Sequence, residues 1–305
     1  MIANLHLHSK FSDGSQWPEE VALAAFNEGL ELAALTDHDT FGGSARFTEE
    51  FARLGKQGLT ACEIDVSAPE VDYKSEILAY FPGKSVPECK AVGAILAGVL
   101  KERRKRLEYY LYWARTIFRR SDLTLESLAA DKLGGKALKL VDLDAISWNK
   151  VDLFLYLKKK ELIPPQTGYK HFKRDWFVPG RFPKYKLEKP DLASLVRAIH
   201  SDGGFAVVPH VGHLWNDEVE VLEEDGGKFD ALLAWFSSIG VDGLEMYWYS
   251  GKKKTEALNA AAKKKAERLG FFLTYGSDCH GPGTDKKTID LFSGDFPGFP
   301  TALRR

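Results

Sequence analysis

Two histidines one residue apart, His6 and His8, stand in "NLHLHSKFSDGS", with Asp13 five residues further on. Four more short segments carry imidazole, carboxylate or both: "TDHD" at 36–39, "CEID" at 62–65, "PHVGH" at 209–213 and "SDCH" at 277–280. Imidazole nitrogens and carboxylate oxygens are the ligands of Zn, Mn and Fe. Gathering several carboxylates in one place without a cation is costly through desolvation and mutual repulsion. Taken singly, each segment is weak evidence. HxH is a common accident, and TDHD can cap a helix. Their weight depends on where they fall in the fold.

Short apolar runs predict strands at 2–6, 32–36, 59–65, 77–81, 205–209, 243–247 and 271–275, with helical patterns between them. "WPEEVALAAFNEG" puts Pro18 in a first turn and Gly29 at a stop. "PDLASLVRAIHSDGG" offers Asp191 as a cap, and "KKKTEALNAAAKKKAERLG" ends at Gly270. This alternation implies a mainly parallel α/β sheet, doubly wound or closed into a barrel. Between about 86 and 187 no strand is predicted. "CKAVGAILAGVLKERRKRLEYYLYWARTIFRR" reads as one long helix and "DLDAISWNKVDLFLYLKKKEL" as another, followed by a run of aromatics, prolines and lysines. The expected organisation is a barrel domain from 1–84 and 188–305, interrupted by a helical insertion, or lid, at 85–187.

On this skeleton five of the seven strands carry His, Asp or Glu at or near their C-terminal ends, the edge where sites form in barrels and open parallel sheets. Residues i and i+2 of a strand share a face, which pairs His6 with His8 and Asp278 with His280. Glu63 sits inside a strand, where an unpaired carboxylate is expensive and therefore points to function. His6 and His8 read as the first ligands of a polynuclear metal site.

The bulk numbers exclude several alternatives. At 305 residues, with 44% hydrophobic and 28% charged, the chain can bury a large core. A net charge of -1 provides no global field toward nucleic acid or membrane. No apolar run reaches the roughly 18 residues of a membrane span. The first residues lack a basic-then-apolar leader pattern. Three cysteines without a CxxC (Cys62, Cys89, Cys279) fit a reducing compartment. A cytoplasmic protein with no membrane partner is expected.

The segments "HLHSKFSDG", "ALTDHDT", "CEIDV", "VPHVG" and "YGSDCHGP", in this order, resemble the PHP (polymerase and histidinol phosphatase) domain family, and within it the stand-alone metal-dependent phosphoesterases. The resemblance covers about 1–84 and 188–285. It implies an α/β fold, a distorted (β/α)7 barrel of TIM-like form with a mainly helical insertion. It also implies two to three divalent ions, drawn from Mn, Fe or Zn, with Mg admissible. One would be held by His6, His8, Glu63 and Asp278, with Glu63 bridging to a second at His210. A third would lie between Asp13, His38 and His280, with Asp37 and Asp39 orienting His38.

Two positions depart from the pattern. Where the family usually shows a histidine before a segment like "ILAYF", this chain has Glu76. As a metal ligand, its harder oxygen would favour Mn, Mg or Fe over Zn; otherwise the second site is weak. Lys150 stands about where the family often has a histidine, which puts the insertion's substrate contacts in question.

Hydrolysis of a phosphate ester is the chemistry implied. Bridging metals lower the pKa of bound water from roughly 15.7 to about 7 and stabilise charge on the phosphoryl group. Asp278 is then a catalytic carboxylate as well as a ligand. His213, three residues past His210, is a candidate acid for the leaving oxygen, with a structural role as the alternative. In "KERRKRLEYY", Arg103 and Arg106 share one helical face and would fork around a substrate phosphate, unless that face is simply solvated. The aromatics of "GYKHFKRDWF" would stack on a base or pack the insertion. Cys62 and Cys279 should point away from the ligand face, His171 and His200 are structural, and Glu245 supports the site from behind. The expected substrate is small and phosphorylated: a nucleotide such as a 3',5'-bisphosphate, or the end of a short single-stranded oligonucleotide. A histidinol-phosphate-type phosphatase, a metal-binding regulatory module without catalysis, and amide or lactone hydrolysis by the same metals are the alternatives.

Overall fold

Seven strands follow the expected order. β1 (Ile2–Leu7), β2 (Leu32–Leu35), β3 (Gln57–Asp65), β4 (Glu76–Phe81), β5 (Phe205–Val208), β6 (Gly243–Tyr247) and β7 (Phe272–Gly276) are joined by a short β8 (Gly294–Asp295). The sheet order is β7-β6-β5-β4-β3-β2-β1-β8. Just beyond β7 the sheet closes on itself. His8 N donates to Cys279 O at 2.9 Å, and Cys279 N donates to His6 O at 3.3 Å. The molecule, described here from a computed structural model at residues 1–135, 140–249, 251–284, 286, 289 and 293–301, is thus a nearly closed mixed barrel with helices around it.

The barrel is less parallel than its alternating pattern suggests. β4 runs antiparallel to both neighbours, pairing Asp65 with Glu76 on β3 and Tyr80 with Phe205 on β5. The reversal brings Glu76, the first residue of β4, to the rim reached by the last residue of β3. It also means that the helical insertion does not leave from the rim that carries the ligands. β4 ends at the opposite rim.

The chain returns through α3 (Lys90–Phe118), whose 29 residues span roughly 43 Å. Val92 and Leu96 of α3 pack into the main barrel-side core. Leu107, Tyr110, Leu111 and Ala114 pack into a second core shared with α4 (Leu125–Leu133), α5 (Lys150–Lys159) and α6 (Tyr169–Trp176). One rigid helix therefore belongs to both cores. The predicted second long helix is shorter than expected. Asn149 accepts from Val151 N and Asp152 N and starts α5 there, after a 3-10 turn at Leu143–Ala145.

Strand alternation separates the two faces of the barrel wall. On β3, Leu59 and Ala61 pack inside with Leu5, Leu78 and Val207, and Glu63 continues that inner row. Cys62 and Ile64 face out, under the helices, with Leu195 and Ile199 of α7 (Leu192–Ser201). On the other side, Phe47 and Phe51 of α2 (Ser44–Arg53) lie one turn apart and are fully buried against Val21 and Ala25 of α1 (Pro18–Asn27). Each such ring stabilises the fold by about 2–3 kcal/mol through burial. β1 carries a register shift between Asn4 and Leu7. A shift of that kind re-aims side chains, and here Leu5 packs in the inner core while the adjacent His6 meets Glu63.

Candidate metal centre

Glu63 is the hub. Its Oε2 lies 3.2 Å from His6 Nε2, 3.4 Å from His8 Nε2 and 3.2 Å from His38 Nδ1. Its Oε1 lies 3.2 Å from His210 Nε2. Asp278 Oδ1 is 3.0 Å from His8 Nε2 and 3.6 Å from His6 Nε2. Asp13 Oδ1 is 3.1 Å from His280 Nε2 and 3.8 Å from His38 Nε2. Glu76 Oε2 is 3.7 Å from His210 Nε2. Three ligand sets result: His6, His8, Glu63 and Asp278; Glu63, Glu76 and His210; and His8, Asp13, His38 and His280. All nine residues named from sequence are brought together, and His8 joins the third set as well as the first.

The separations suit cations. Ligand atoms around a tetrahedral ion with bonds of about 2.0–2.2 Å are roughly 3.3–3.6 Å apart. His6 Nε2, His8 Nε2, His38 Nδ1, Asp13 Oδ1, Glu63 Oε2 and Asp278 Oδ1 are buried without a hydrogen-bond partner. Buried polar atoms rarely stay unsatisfied, and here acceptors face lone-pair nitrogens across gaps that an ion would fill. The Lys286 ammonium pairs with Asp278 Oδ2, so a positive charge already sits at this rim. The cluster is able to bind metal.

The electrostatics show how strongly this rim attracts positive charge. Burial works against protonation of His6, His38 and His280, yet the facing carboxylates Glu245, Glu63 and Asp13 raise all three, and a bound cation would displace those protons. Burial opposes ionisation of Glu63, yet His6 and His38, with a hydrogen bond from His210, hold its carboxyl well below the usual range. Burial likewise works against Asp13, and His280 and His38 override it. His8 is pushed well below an ordinary imidazole by burial and by His280 and His38, which keeps it neutral as a ligand must be.

Contacts behind the ligands hold them in place. Glu245 Oε1 is 2.8 Å from His6 Nδ1, and its Oε2 accepts from His210 N at 2.8 Å. With His6 Nδ1–H given to Glu245, Nε2 is left to face the centre. A Cβ at Gly276 would lie 2.0 Å from Glu245 Oε1 and 2.4 Å from His6 Cβ, so only glycine fits beneath this pair. Asn4 Oδ1 accepts from His6 N and Ser277 N, tying β1 to the end of β7. Asp39, His210 and Asp278 have φ of 51°, 28° and 51°. Such left-handed backbone is costly and clusters at functional sites.

Other expected residues sit differently. Asp37 does not orient His38; it accepts from Ser9 N, Ser9 Oγ and Ser12 Oγ at 2.6–2.7 Å and shapes the turn after His8. Asp39 accepts from Asp65 N at 2.9 Å and from Arg103 Nε at 2.5 Å. Arg103 is 4% exposed and also donates from Nη2 to Asp65 Oδ2 at 2.8 Å. The expected phosphate fork is corrected here: the Arg103 guanidinium is turned onto two carboxylates, because α3 carries it past the rim ends of β2 and β3. Arg106, three residues on, donates from Nη2 to the Trp148 carbonyl at 3.5 Å.

His213 stacks on His210 with ring centroids 4.5 Å apart, and its Nδ1 is 2.6 Å from Asp217 Oδ1. Burial and the adjacent His210 push its pKa down to about 4. At neutral pH it is then the neutral imidazole, with its one N–H given from Nδ1 to Asp217, and this environment argues against the donor role. Cys62 and Cys279 are buried apolar packing groups as expected, and His200 binds Asp242 at 2.9 Å. Phe172, Trp176 and Phe177 pack within the helical segment's own core. Sequence reasoning missed the Arg103–Asp39–Asp65 triad, Lys286 and the clamp at Asn4. The triad and the clamp join residues far apart in the chain, and Lys286, only 8 residues past Asp278, follows it with no recognisable spacing signal.

With this geometry in hand, comparison with known proteins places the chain. The PHP domain family profile matches residues 4–162, and the chain belongs to that family. It is similar to a phosphoribosyl 1,2-cyclic phosphate 1,2-diphosphodiesterase of Eggerthella lenta, at 29% identity over 92% of this chain and 95% of that one. It is also similar to a 3',5'-nucleoside bisphosphate phosphatase of Chromobacterium violaceum, at 26% identity over 94% and 90%. A candidate metal-dependent phosphoesterase of Bifidobacterium adolescentis shares the fold, with a TM-score of 0.71 at 20% identity over 96% of this chain and 92% of that one. The protein is an enzyme of the metal-dependent phosphoesterase class. Among the described residues no helix is long and apolar enough to cross a membrane.

Proposed function

We propose that this enzyme hydrolyses a phosphate ester of a small nucleotide-like molecule, a 3',5'-bisphosphate or the end of a short oligonucleotide, at the cluster around Glu63. The observation that carries the reading is the convergence of buried, unpartnered His6, His8, His38, Asp13, Glu63 and Asp278 atoms on one rim. The two relatives named for phosphoribosyl and nucleoside phosphates support the substrate class.

Two or three divalent ions bound there, Mn, Fe or Zn, would supply charge that activates water and polarises the phosphoryl group. His6, His8, Glu63 and Asp278 would hold the first; Glu63, Glu76 and His210 the second; His8, Asp13, His38 and His280 the third. The carboxylate at Glu76 favours Mn or Fe in the second position. Glu245 fixes the orientation of His6 and the backbone at His210, and Asp37 fixes the turn between His8 and Asp13. The helical segment 85–187 serves as the lid domain over the rim, its aromatics packing the lid's own core and its cations meeting the substrate. Cys62, Cys89 and Cys279 are all buried, and we place the enzyme in a reducing, cytoplasmic setting.

The test is a comparison of turnover by Mn- or Fe-reconstituted protein on nucleoside 3',5'-bisphosphates, short oligonucleotides, a ribose cyclic phosphate and histidinol phosphate. The reading expects the nucleotide substrates to have the highest kcat/KM. Turnover of histidinol phosphate alone would replace the substrate class. Full metal loading with no hydrolysis of any phosphoester would indicate a regulatory module instead.

A further inference from the structure

The cations of the helical segment fall into two groups. On α3, Arg103 pairs with Asp39 and Asp65, Arg104 with Glu108 and Asp144, and Lys105 with Glu102. Arg106, Lys150, Lys173 and Lys184 make no such pair with a carboxylate among the described residues. The charges that act most strongly on Lys150 are cations, Arg106, Lys173 and Lys184. Lys150 Nζ lies 4.1 Å from the Phe177 ring centroid and 5.8 Å from that of Tyr110. Lys173 Nζ lies 4.7 Å over Tyr169.

Three features make this placement of Lys150 unfavourable in isolation. It is half-buried, it is surrounded by like charge, and it occupies the first turn of α5, where the helix dipole repels a cation. Local conflicts of this kind concentrate where a ligand resolves them. A bound dianion would resolve all three at once.

The cluster also lies beside the metal rim. Ser147, three residues before Lys150, donates from its backbone N to Phe11 O at 2.8 Å, two residues from Asp13. Lys132 binds both Ser12 O and Asp152 of α5, which pins the start of that helix to the loop carrying Asp13. The Tyr169 hydroxyl, held up first by burial and then by Asp13, is drawn down by Arg106, so it lies within the fields of both the metal rim and the cationic cluster.

We propose that Arg106 and Lys150 form an anion subsite for a second phosphate of the substrate, the one that is not hydrolysed, with Phe177 and Tyr110 as its apolar wall. This rests on the phosphoesterase reading above. Lys173 and Lys184 add charge at the outer edge. The subsite selects bisphosphorylated over monophosphorylated molecules.

The experiment is calorimetric titration of the Mn-loaded protein with two non-hydrolysable ligands: a bis-phosphonate analogue of adenosine 3',5'-bisphosphate and the mono-phosphonate analogue of adenosine 5'-monophosphate. The readout is the ratio of their affinities in wild type, Lys150→Gln, Arg106→Gln and Lys150→Arg, with inorganic phosphate as a third ligand and turnover measured in parallel. The ratio is expected to favour the bis-phosphonate in wild type. It should fall on the order of 10- to 100-fold in each Gln variant, as expected for loss of one charged hydrogen bond, and be kept in Lys150→Arg. An unchanged ratio in both Gln variants, or a wild type with no preference, overturns the proposal. An equal loss for inorganic phosphate places a free anion there and overturns it too. Ratios that fall as expected in a protein that hydrolyses no phosphoester sink the functional reading and leave the subsite standing. Hydrolysis with unchanged ratios does the reverse.

Discussion

Glu245 and His6, 239 residues apart in sequence, meet at 2.8 Å with both side chains fully buried. The contact sets which nitrogen of His6 faces Glu63, and the other oxygen of Glu245 holds the backbone at His210. One carboxylate thus positions a residue of the first ligand set and a residue of the second. Glu245→Gln should weaken divalent-metal affinity about 10- to 100-fold, typical for loss of an outer partner of a ligating histidine. Metal titration monitored by calorimetry checks this. Unaltered affinity would mean that His6 is fixed by something else.

Glu76 joins only the set shared with Glu63 and His210. Glu76→Ala should lower the metal content by one equivalent while the other ions remain, and Glu76→His should shift preference from Mn or Fe toward Zn. Elemental analysis after dialysis against mixed metals reads both effects. Loss of all metal together would show that the sites are not separable.

Arg103 holds two carboxylates, Asp39 and Asp65, at the junction of α3 with the barrel rim. Arg103→Met leaves Asp39, which is fully buried, without its cation. The variant should lose about 3–5 kcal/mol of stability, measured by denaturant unfolding. A loss below ~1 kcal/mol would mean that the triad is relaxed by solvent.

Lys150 carries a pH dependence. Burial first, then Arg106, Lys173 and Lys184, push its pKa down to about 8. It is charged below that value and neutral above it. A bound dianion raises the pKa again, so binding takes up a proton near pH 8 and weakens as pH rises through 8 to 9. Bis-phosphonate affinity measured from pH 7 to 10 should fall over that interval in wild type and stay flat there in Lys150→Arg. A wild-type profile as flat as that of Lys150→Arg would contradict the assignment.

Strand order and ligand positions were legible because alternation is a local property. "LHLHS", "CEID" and "SDCH" each show which residues share a face, and their place at strand ends announced a rim. The direction of β4 was not legible, since an apolar run such as "EILAYF" reads the same in either sense and its partner register depends on distant strands. The role of Asp39 was misread for a similar reason. Adjacency to His38 in sequence suggested support for it, but Asp39 lies in a turn beyond β2 with φ of 51°, and its carboxylate meets Arg103 of α3 instead. The break before α5 had a readable signal in "NKVD", an Asn cap with Asp three residues later. α6 lacked one, with Phe172 as its single buried residue.

Anomalous diffraction from crystals grown with Mn, collected at the Mn edge, tests the central claim most directly. The account predicts two or three peaks, one of them within about 2.0–2.4 Å of ligand atoms on His6, His8, Glu63 and Asp278, with Glu63 shared between two ions. A fully Mn-treated crystal with no peak bonded to Glu63 would contradict it.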